Sequence, residues 1–290
     1  MLRKTVLWII ALLVTLASAY YQRVTGPTYP ISGTTTFAGT TVEYKLARSQ
    51  GGEDDQEVAV VVPNAHIAGR LLYKRYKTSD PWTGVPMTRE GDRLVGYLPN
   101  QPPAGKLEYS VELYTGSERA FVPAAGGSVV TRFKGDVPGW ALLPHIVLIF
   151  LAMLFSVRTA FEAIFSEGEV RGYALWTLGL MALGGLVFGP IVQKFAFGEY
   201  WTGFPFGMDL TDNKTAISFL AWLIAVLAVW NRGYRFTHPG RRWYSVAAAV
   251  VTLVVFLIPH SMFGSELDYS KQPKGRPDAT APGPQAQKPL

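Results

Sequence analysis

The sequence contains no cysteine and only four histidines in 290 residues. The absence of cysteine excludes disulfides, zinc–thiolate sites, iron–sulfur clusters and a cysteine nucleophile. An exported domain must therefore be stabilised by its own hydrophobic core, which a domain of about a hundred residues is able to form. The formal net charge of +6 does not indicate nucleic-acid binding, because the basic residues do not collect on one soluble face.

Charged residues make up only 17% of the chain, and they are absent from several long apolar runs. These uncharged runs cover residues 140–157, 173–192, 216–230 and 243–259. A membrane-spanning helix needs roughly 20 largely apolar residues, with about 17 as a practical minimum. We therefore predict a bundle of four transmembrane helices in residues 139–262, at about 140–157, 173–195, 215–230 and 243–259.

A shorter apolar run, residues 6–19, follows Arg3 and Lys4 at the N-terminus. Its basic start, apolar middle and small-residue end, Ala17-Ser18-Ala19, are typical of a cleavable signal peptide. An uncleaved anchor helix over residues 1–21 is the alternative. Both interpretations place the residues that follow outside the cytoplasm.

Lysine and arginine near membrane spans accumulate on the cytoplasmic side, which gives an independent prediction of orientation. The connection 231–242 contains four arginines and no acidic residue, and we therefore place it inside. Counting spans from there puts residues 22–138, residues 194–214 and the C-terminal tail outside. The predicted location is a bacterial-type inner (plasma) membrane, with the lipid bilayer as one partner.

Residues 22–138 contain short runs of β-branched and aromatic residues bounded by turn residues, which is typical of strands. The clearest runs are 42–48, 57–62, 71–77, 93–98, 107–114 and 128–133. Such a pattern predicts an extracytoplasmic antiparallel β-sandwich of immunoglobulin-like type. The predicted fold class is thus an α+β membrane protein. The tail, residues 263–290, is rich in Pro, Lys, Gln and Ala and is predicted to be disordered.

Four glycines lie along the second predicted transmembrane helix, namely Gly179, Gly184, Gly185 and Gly189. Small residues at helical spacing allow the backbones of neighbouring helices to approach closely. We therefore predict that this helix packs closely against another helix, either within the bundle or in another subunit.

Polar residues that could bind a ligand or take part in catalysis gather at the predicted outer ends of the helices. The candidate site consists of His145, His260, Glu199, Trp201, Asp209, Asp212 and Glu266. His145 and His260 would ligate a haem or a metal ion, or hydrogen-bond a quinone head group. The structural alternative is that these are ordinary membrane-boundary residues, with Thr211 or Asp212 as the N-cap of the next helix.

The outer connection between the second and third helices is dense in Trp, Tyr, Phe, Pro and Gly. This composition favours a fixed, partly membrane-embedded loop, because irregular backbone is tolerated at that depth only where its polar groups are satisfied. We regard this loop as the segment with the strongest functional signal.

Three classes of function remain open at this point. We favour a non-catalytic membrane subunit, assembly factor or interaction protein that presents its exported domain to a protein partner. His66 is the only histidine of residues 22–138, and no catalytic triad is complete there. A redox subunit using His145 and His260 is the first alternative. An outer-leaflet hydrolase or transferase would instead need a metal held by carboxylates from Glu199, Asp209, Asp212 and Glu266.

Overall fold

The structure is a computed structural model that describes residues 2–124, 127–165, 170–230, 240–259, 264 and 266–271. The chain divides into two compact units. The first, here called the bundle unit, comprises Met1–Pro27 and Val137–Ser265. The second, here called the β unit, comprises Thr28–Asp136 and Glu266–Leu290.

The described part of the β unit contains eleven strands in two sheets. One sheet has the order β1 (Ile31–Phe37), β2 (Thr40–Leu46), β4 (Gln56–Val61), β8 (Arg93–Leu98), β7 (Thr88–Glu90). The other has the order β3 (Ser49–Gly51), β11 (Val129–Lys134), β9 (Lys106–Thr115), β5 (Ala68–Arg75), β6 (Thr83–Pro86), and β10 (Glu118–Val122) also pairs with β9. Strand pairs are antiparallel, except that β3 runs parallel to β11.

Both sheets contribute side chains to one hydrophobic core. Buried members include Val42, Val58, Val60 and Leu98 from the first sheet and Leu71, Leu107, Val111, Leu113 and Phe133 from the second. Complete burial of such a side chain contributes about 1.5–3 kcal/mol. This core allows the cysteine-free domain to fold without disulfides.

A buried polar contact joins the two sheets inside this core. The hydroxyl of Thr131 in β11 donates a hydrogen bond of 2.6 Å to the side-chain carbonyl of Gln56 in β4. The Tyr109 hydroxyl in β9 donates to the Ala47 carbonyl at 2.6 Å. Burial raises the pKa of Tyr109, so its hydroxyl stays protonated as a donor.

The six predicted strands are all present, with ends shifted by up to three residues. The predicted runs omit the other described strands. β1 reads Ile-Ser-Gly-Thr-Thr-Thr-Phe, and its short polar side chains give no strong alternating pattern. Classification of the two sheets as immunoglobulin-like stays a prediction.

Apolar and polar residues alternate along strand β9 from Leu107 to Leu113, which predicts one buried and one exposed face, but the observed burial departs from this pattern. Ser110 and Glu112, expected on the water-facing side, are only 7% and 8% exposed. Glu112 forms ion pairs with Arg119 at 3.0 Å and with Arg70 at 3.7 Å. Neighbouring charged side chains therefore cover this face of the strand.

Residues 266–271 belong to the β unit and pack against it. The backbone N–H of Leu267 donates to the Ala104 carbonyl at 3.1 Å. The Tyr269 hydroxyl accepts a hydrogen bond of 2.9 Å from the backbone N–H of Lys106. This short segment is here called the C-terminal strap.

Glu266 fixes the start of the strap through ion pairs of 2.9 Å with Lys77 and 2.5 Å with Lys106. Burial raises the pKa of Glu266, but the hydrogen bonds from Lys106 and Lys77 lower it by more, so that the pKa lies below its usual value. The predicted disorder of residues 263–290 therefore does not describe residues 266–271, because these polar and aromatic contacts hold them. Residues 272–290 lie outside the described residues.

The bundle unit contains helices α1 (Leu2–Thr25), α2 (Gly139–Phe165), α3 (Val170–Met181), α4 (Gly189–Phe197), α5 (Leu210–Val229) and α6 (Arg242–Leu257), with a π-helical segment, Ala182–Phe188, between α3 and α4. Four described helices are long and apolar enough to cross a membrane: Leu2–Thr25, Gly139–Phe165, Val170–Phe197 and Leu210–Val229. This supports a membrane location and contact with a lipid bilayer. α6 is apolar but shorter, with 16 residues or about 24 Å.

Two of the four glycines mark close contacts between helices. A Cβ added at Gly184 would lie 2.9 Å from Cβ of Leu148 in α2, and one at Gly185 would lie 2.8 Å from a methyl carbon of Thr215 in α5. A Cβ at Gly179 would meet nothing within 4 Å. Tight packing is thus present at Gly184 and Gly185, and Gly179 does not contribute to it.

The helices extend past the uncharged runs, and the extensions contain buried charges. Arg158 and Glu162, in the last two turns of α2, form an ion pair at 2.5 Å, with side chains 0% and 2% exposed. The Arg158 guanidinium also lies 5.5 Å from the ring of Trp8 in α1 and 4.8 Å from that of Tyr173 in α3. The Arg158 side chain therefore links three helices.

Candidate functional site

The candidate site is the loop 198–209, here called the aromatic loop, which joins the end of α4 to the start of α5. Several helix ends meet at this side of the bundle. The rings of Trp140 and Phe195 lie 5.9 Å apart, and the Lys214 amine donates to the Ile258 carbonyl at 2.7 Å. We call this side the loop end of the bundle.

A buried carboxylate holds the inner side of the aromatic loop. Asp212, in the first turn of α5, is 5% exposed. One of its oxygens accepts hydrogen bonds from the backbone N–H of Thr202 at 2.6 Å and from the side-chain amide of Gln193 at 3.0 Å. Asp212 thus ties the loop to both α4 and α5.

Asp209, not Thr211 or Asp212, is the N-cap of α5. Its side chain accepts a hydrogen bond of 2.8 Å from the backbone N–H of Thr211. Because a cap oxygen satisfies one of the free N–H groups of the first helical turn, Asp209 stabilises the start of α5. The cap at Asp209 leaves Asp212 available to bind the loop.

The next residue, Asn213, binds the middle of the aromatic loop. Its side-chain oxygen accepts a hydrogen bond of 2.7 Å from the backbone N–H of Phe204. The loop passes so close at this point that a Cβ at Gly203 would lie 2.6 Å from Cβ of Asp212. Glycine at position 203 is therefore required by the close approach of the loop to α5.

The outer side of the aromatic loop is apolar and exposed. Phe204, Phe206 and Met208 are 75%, 83% and 82% exposed, and Tyr200 is 58% exposed. The indole N–H of Trp201 donates to the Phe204 carbonyl at 3.1 Å, so this aromatic ring folds back on the loop. The loop therefore presents large apolar side chains on a frame that its polar side holds in place.

His145 lies on α2 beside the π-helical segment. Its Nδ1 is 2.8 Å from the carbonyl oxygen of Gly184, and because a carbonyl can only accept, the proton must be on Nδ1. The same carbonyl accepts from the backbone N–H of Gly189. His145 thus packs where the π turn changes the hydrogen-bond register, a kind of irregularity that is frequent at functional sites.

The predicted site residues are distributed over both units. Asp209, Asp212 and Trp201 share the hydrogen-bonded frame of the aromatic loop, and Glu199 is an exposed residue of the same loop. Glu266 belongs to the β unit, where it pairs with two lysines. His260 lies outside the described residues.

No metal-binding group of three or more His, Cys, Asp or Glu side chains occurs among the residues that the structure describes. The sequence matches no model of a known protein family and no curated protein. Its function must therefore be inferred from the geometry of its own residues.

Sequence reasoning missed several residues of this frame, including Gln193, Thr202 and Lys214. Lys214 is only 4% exposed and reaches the end of α6. Nothing in a local pattern distinguishes these residues from ordinary polar residues at a helix end, because their partners come from other helices. A cluster of polar residues next to an uncharged run is the one signal that indicated them.

Proposed function

We propose that the chain is an integral membrane subunit or an assembly and interaction protein, which presents an extracytoplasmic immunoglobulin-like β-sandwich to a protein partner. The observation that carries this proposal is that the β unit is continued at both of its ends into helices apolar enough to span a membrane. Leu2–Thr25 precedes it and Gly139–Phe165 follows it. Both connections would keep the β unit attached to the membrane.

The C-terminal strap supports the topology that this function needs. Residues 266–271 pack on the same β unit as residues 28–136, which supports a location of both segments on one side of a membrane. With that arrangement, the intervening chain would cross the membrane an even number of times. The three longer helices after residue 137 require a fourth crossing, which only the shorter helix Arg242–Leu257 offers among the described residues.

The distribution of arginine supports a cytoplasmic location for the end of the bundle opposite the loop end. Arg158 lies about two turns before the end of α2, Arg171 lies in the first turn of α3, and Arg241 and Arg242 lie at the start of α6. Because Lys and Arg near membrane spans accumulate on the cytoplasmic side, this distribution supports a cytoplasmic location for this end. The loop end and the β unit would then face outward, at the surface of a bacterial-type plasma membrane.

The packing of α1 favours a retained anchor over a cleaved signal peptide. Ala11 is fully buried and clusters with Met153 and Val157 of α2. The side-chain amide of Gln22 donates to the Phe256 carbonyl of α6 at 2.6 Å. Removal of α1 would expose these contacts, so we expect the mature protein to begin before residue 22, as N-terminal sequencing will show.

Photo-crosslinking in the native host tests the interaction role. A photoreactive amino acid replaces Trp82, Tyr97 or Phe121, which are exposed aromatic residues of the β unit. The proposal expects at least one position to give a discrete adduct with the same partner. A photoreactive residue at Tyr269 must crosslink within the β unit and serves as the internal control. Absence of an adduct from all three positions, with a working control, contradicts the proposal.

A redox role is the second candidate, and the geometry of His145 favours it over the hydrolase. The hydrogen bond from Nδ1 to Gly184 orients the ring and leaves Nε2 as the nitrogen suited to a metal or haem iron. Metal-ligating histidines are usually oriented through their other ring nitrogen in this way. An absorption spectrum and a metal analysis of the purified protein test haem and metal ligation: a Soret band or bound metal that is lost in H145A and H260A supports it, and a colourless, metal-free sample removes it.

A further inference from the structure

The outer side of the aromatic loop exposes three large apolar side chains at alternate positions of the sequence. Phe204, Phe206 and Met208 are each at least 75% exposed. A cluster of exposed apolar side chains marks a surface that contacts either another protein or a membrane. The question is whether lipid or protein covers it.

The backbone of the same loop satisfies many of its own polar groups. The N–H groups of Phe206 and Gly207 both donate to the Gly203 carbonyl at 2.9 Å, and the N–H of Asp209 donates to the Thr202 carbonyl at 3.0 Å. Those of Thr202 and Phe204 donate to the side chains of α5 described above. Pro205 has no N–H to satisfy.

A water-facing loop has no need of internal partners for its backbone, because water supplies them. In hydrocarbon, an unsatisfied N–H or C=O is costly, and irregular backbone occurs there only when its polar groups are satisfied. The aromatic loop combines internally bonded N–H groups with outward apolar side chains. This combination fits the boundary of a lipid bilayer.

The position of the loop agrees with this environment. It joins Val170–Phe197 to Leu210–Val229, two helices apolar enough to span a membrane. Tyr200 extends beside Lys194, whose amine lies 5.4 Å from the centre of the tyrosine ring. Tyrosine and lysine at helix ends are typical anchors at the polar surface of a bilayer.

We propose that Phe204, Phe206 and Met208 insert into the outer leaflet of the bilayer and make the aromatic loop a second lipid anchor beside the spanning helices. Asp212 and Asn213 hold the loop so that its apolar side chains point toward the acyl chains. Lipid chemistry is favoured over a protein partner because a partner would supply polar groups of its own. This inference rests on the membrane placement in the proposed function, but it does not depend on a partner of the β unit.

The absence of cysteine makes a direct test possible, because single cysteines can be introduced without background. F206C and M208C are each spin-labelled in the full-length protein, reconstituted into vesicles of phosphatidylcholine and phosphatidylglycerol. S117C, in an exposed turn of the β unit, is the matched aqueous control. Collisions of each label with oxygen, which partitions into lipid, and with a water-soluble nickel chelate are compared.

The proposal expects the nickel collision rate at positions 206 and 208 to be several-fold lower than at position 117, with the oxygen rate higher. Nickel access equal to that of S117C overturns the proposal, since the loop would then lie in water. Shielding from both reagents also overturns it and indicates contact with protein, such as a second copy of the chain. Neither failure alters the crosslinking result for the β unit, so the two proposals fail separately.

Discussion

The carboxylate of Asp212 accepts a hydrogen bond from the backbone N–H of Thr202, with 2.6 Å between oxygen and nitrogen. This bond joins the first turn of α5 to the loop that precedes it. We infer that it helps to hold the apolar side of the loop outward.

Substitution of Asp212 by alanine is expected to release the aromatic loop. The backbone N–H of Thr202 and the amide of Gln193 would lose a buried acceptor, which typically costs about 1–3 kcal/mol. We expect a lower unfolding temperature in detergent and faster proteolysis between α4 and α5. E199A is the matched control, because it removes an exposed carboxylate from the same loop. Equal behaviour of D212A and E199A would contradict the role of Asp212.

Substitution by alanine is expected to change the stability of the protein differently at two glycines of the same helical stretch. G184A places a methyl group 2.9 Å from Leu148 and 3.1 Å from a backbone nitrogen of α2, so the helices must separate. Overpacking of this kind costs about 1–3 kcal/mol. G179A meets open space and should be neutral or slightly stabilising, because alanine favours a helix over glycine. Thermal unfolding of both variants in one detergent measures the difference.

The glycine pair shows how far the sequence alone can be interpreted. Small residues at helical spacing predict close packing somewhere along the stretch, but the sequence does not contain the positions of Leu148 and Thr215 that make Gly184 and Gly185 critical. The strong strands were predictable because hydrophobic alternation is a local property. The frame of Asp212, Gln193 and Thr202 was not, because it forms only when separate helices come together.

The C-terminal strap is expected to detach at acidic pH. The pKa of Glu266 is lowered in the docked state, so its contribution is complete above the ordinary value of 4.5 and is lost as pH falls through the lowered value. A spin label at the exposed Lys271 position should become more mobile over that acidic range. E266Q should show the mobile signal already at neutral pH. E118Q, which alters an exposed carboxylate at the start of β10, should not; equal mobility in the two variants would argue against the Glu266 contact.

Replacement of Thr131 by valine is expected to weaken the contact between the two sheets. Valine has nearly the same shape but cannot donate to the buried Gln56 carbonyl, which would lose its partner. The cost is about 1–3 kcal/mol, seen as a lower unfolding temperature of the β unit. T40V, at a half-buried position of β2, is the control and should change stability less.

The sidedness of the β unit tests the central claim most directly. Single cysteines are placed at Ser117 in the β unit and at Gly240 before α6, both exposed positions. Spheroplasts are then treated with a membrane-impermeant maleimide, before and after permeabilisation. The account predicts that S117C reacts in intact spheroplasts and that G240C reacts only after permeabilisation. Labelling of G240C in intact spheroplasts, or protection of S117C there, would contradict a β unit presented outside the membrane.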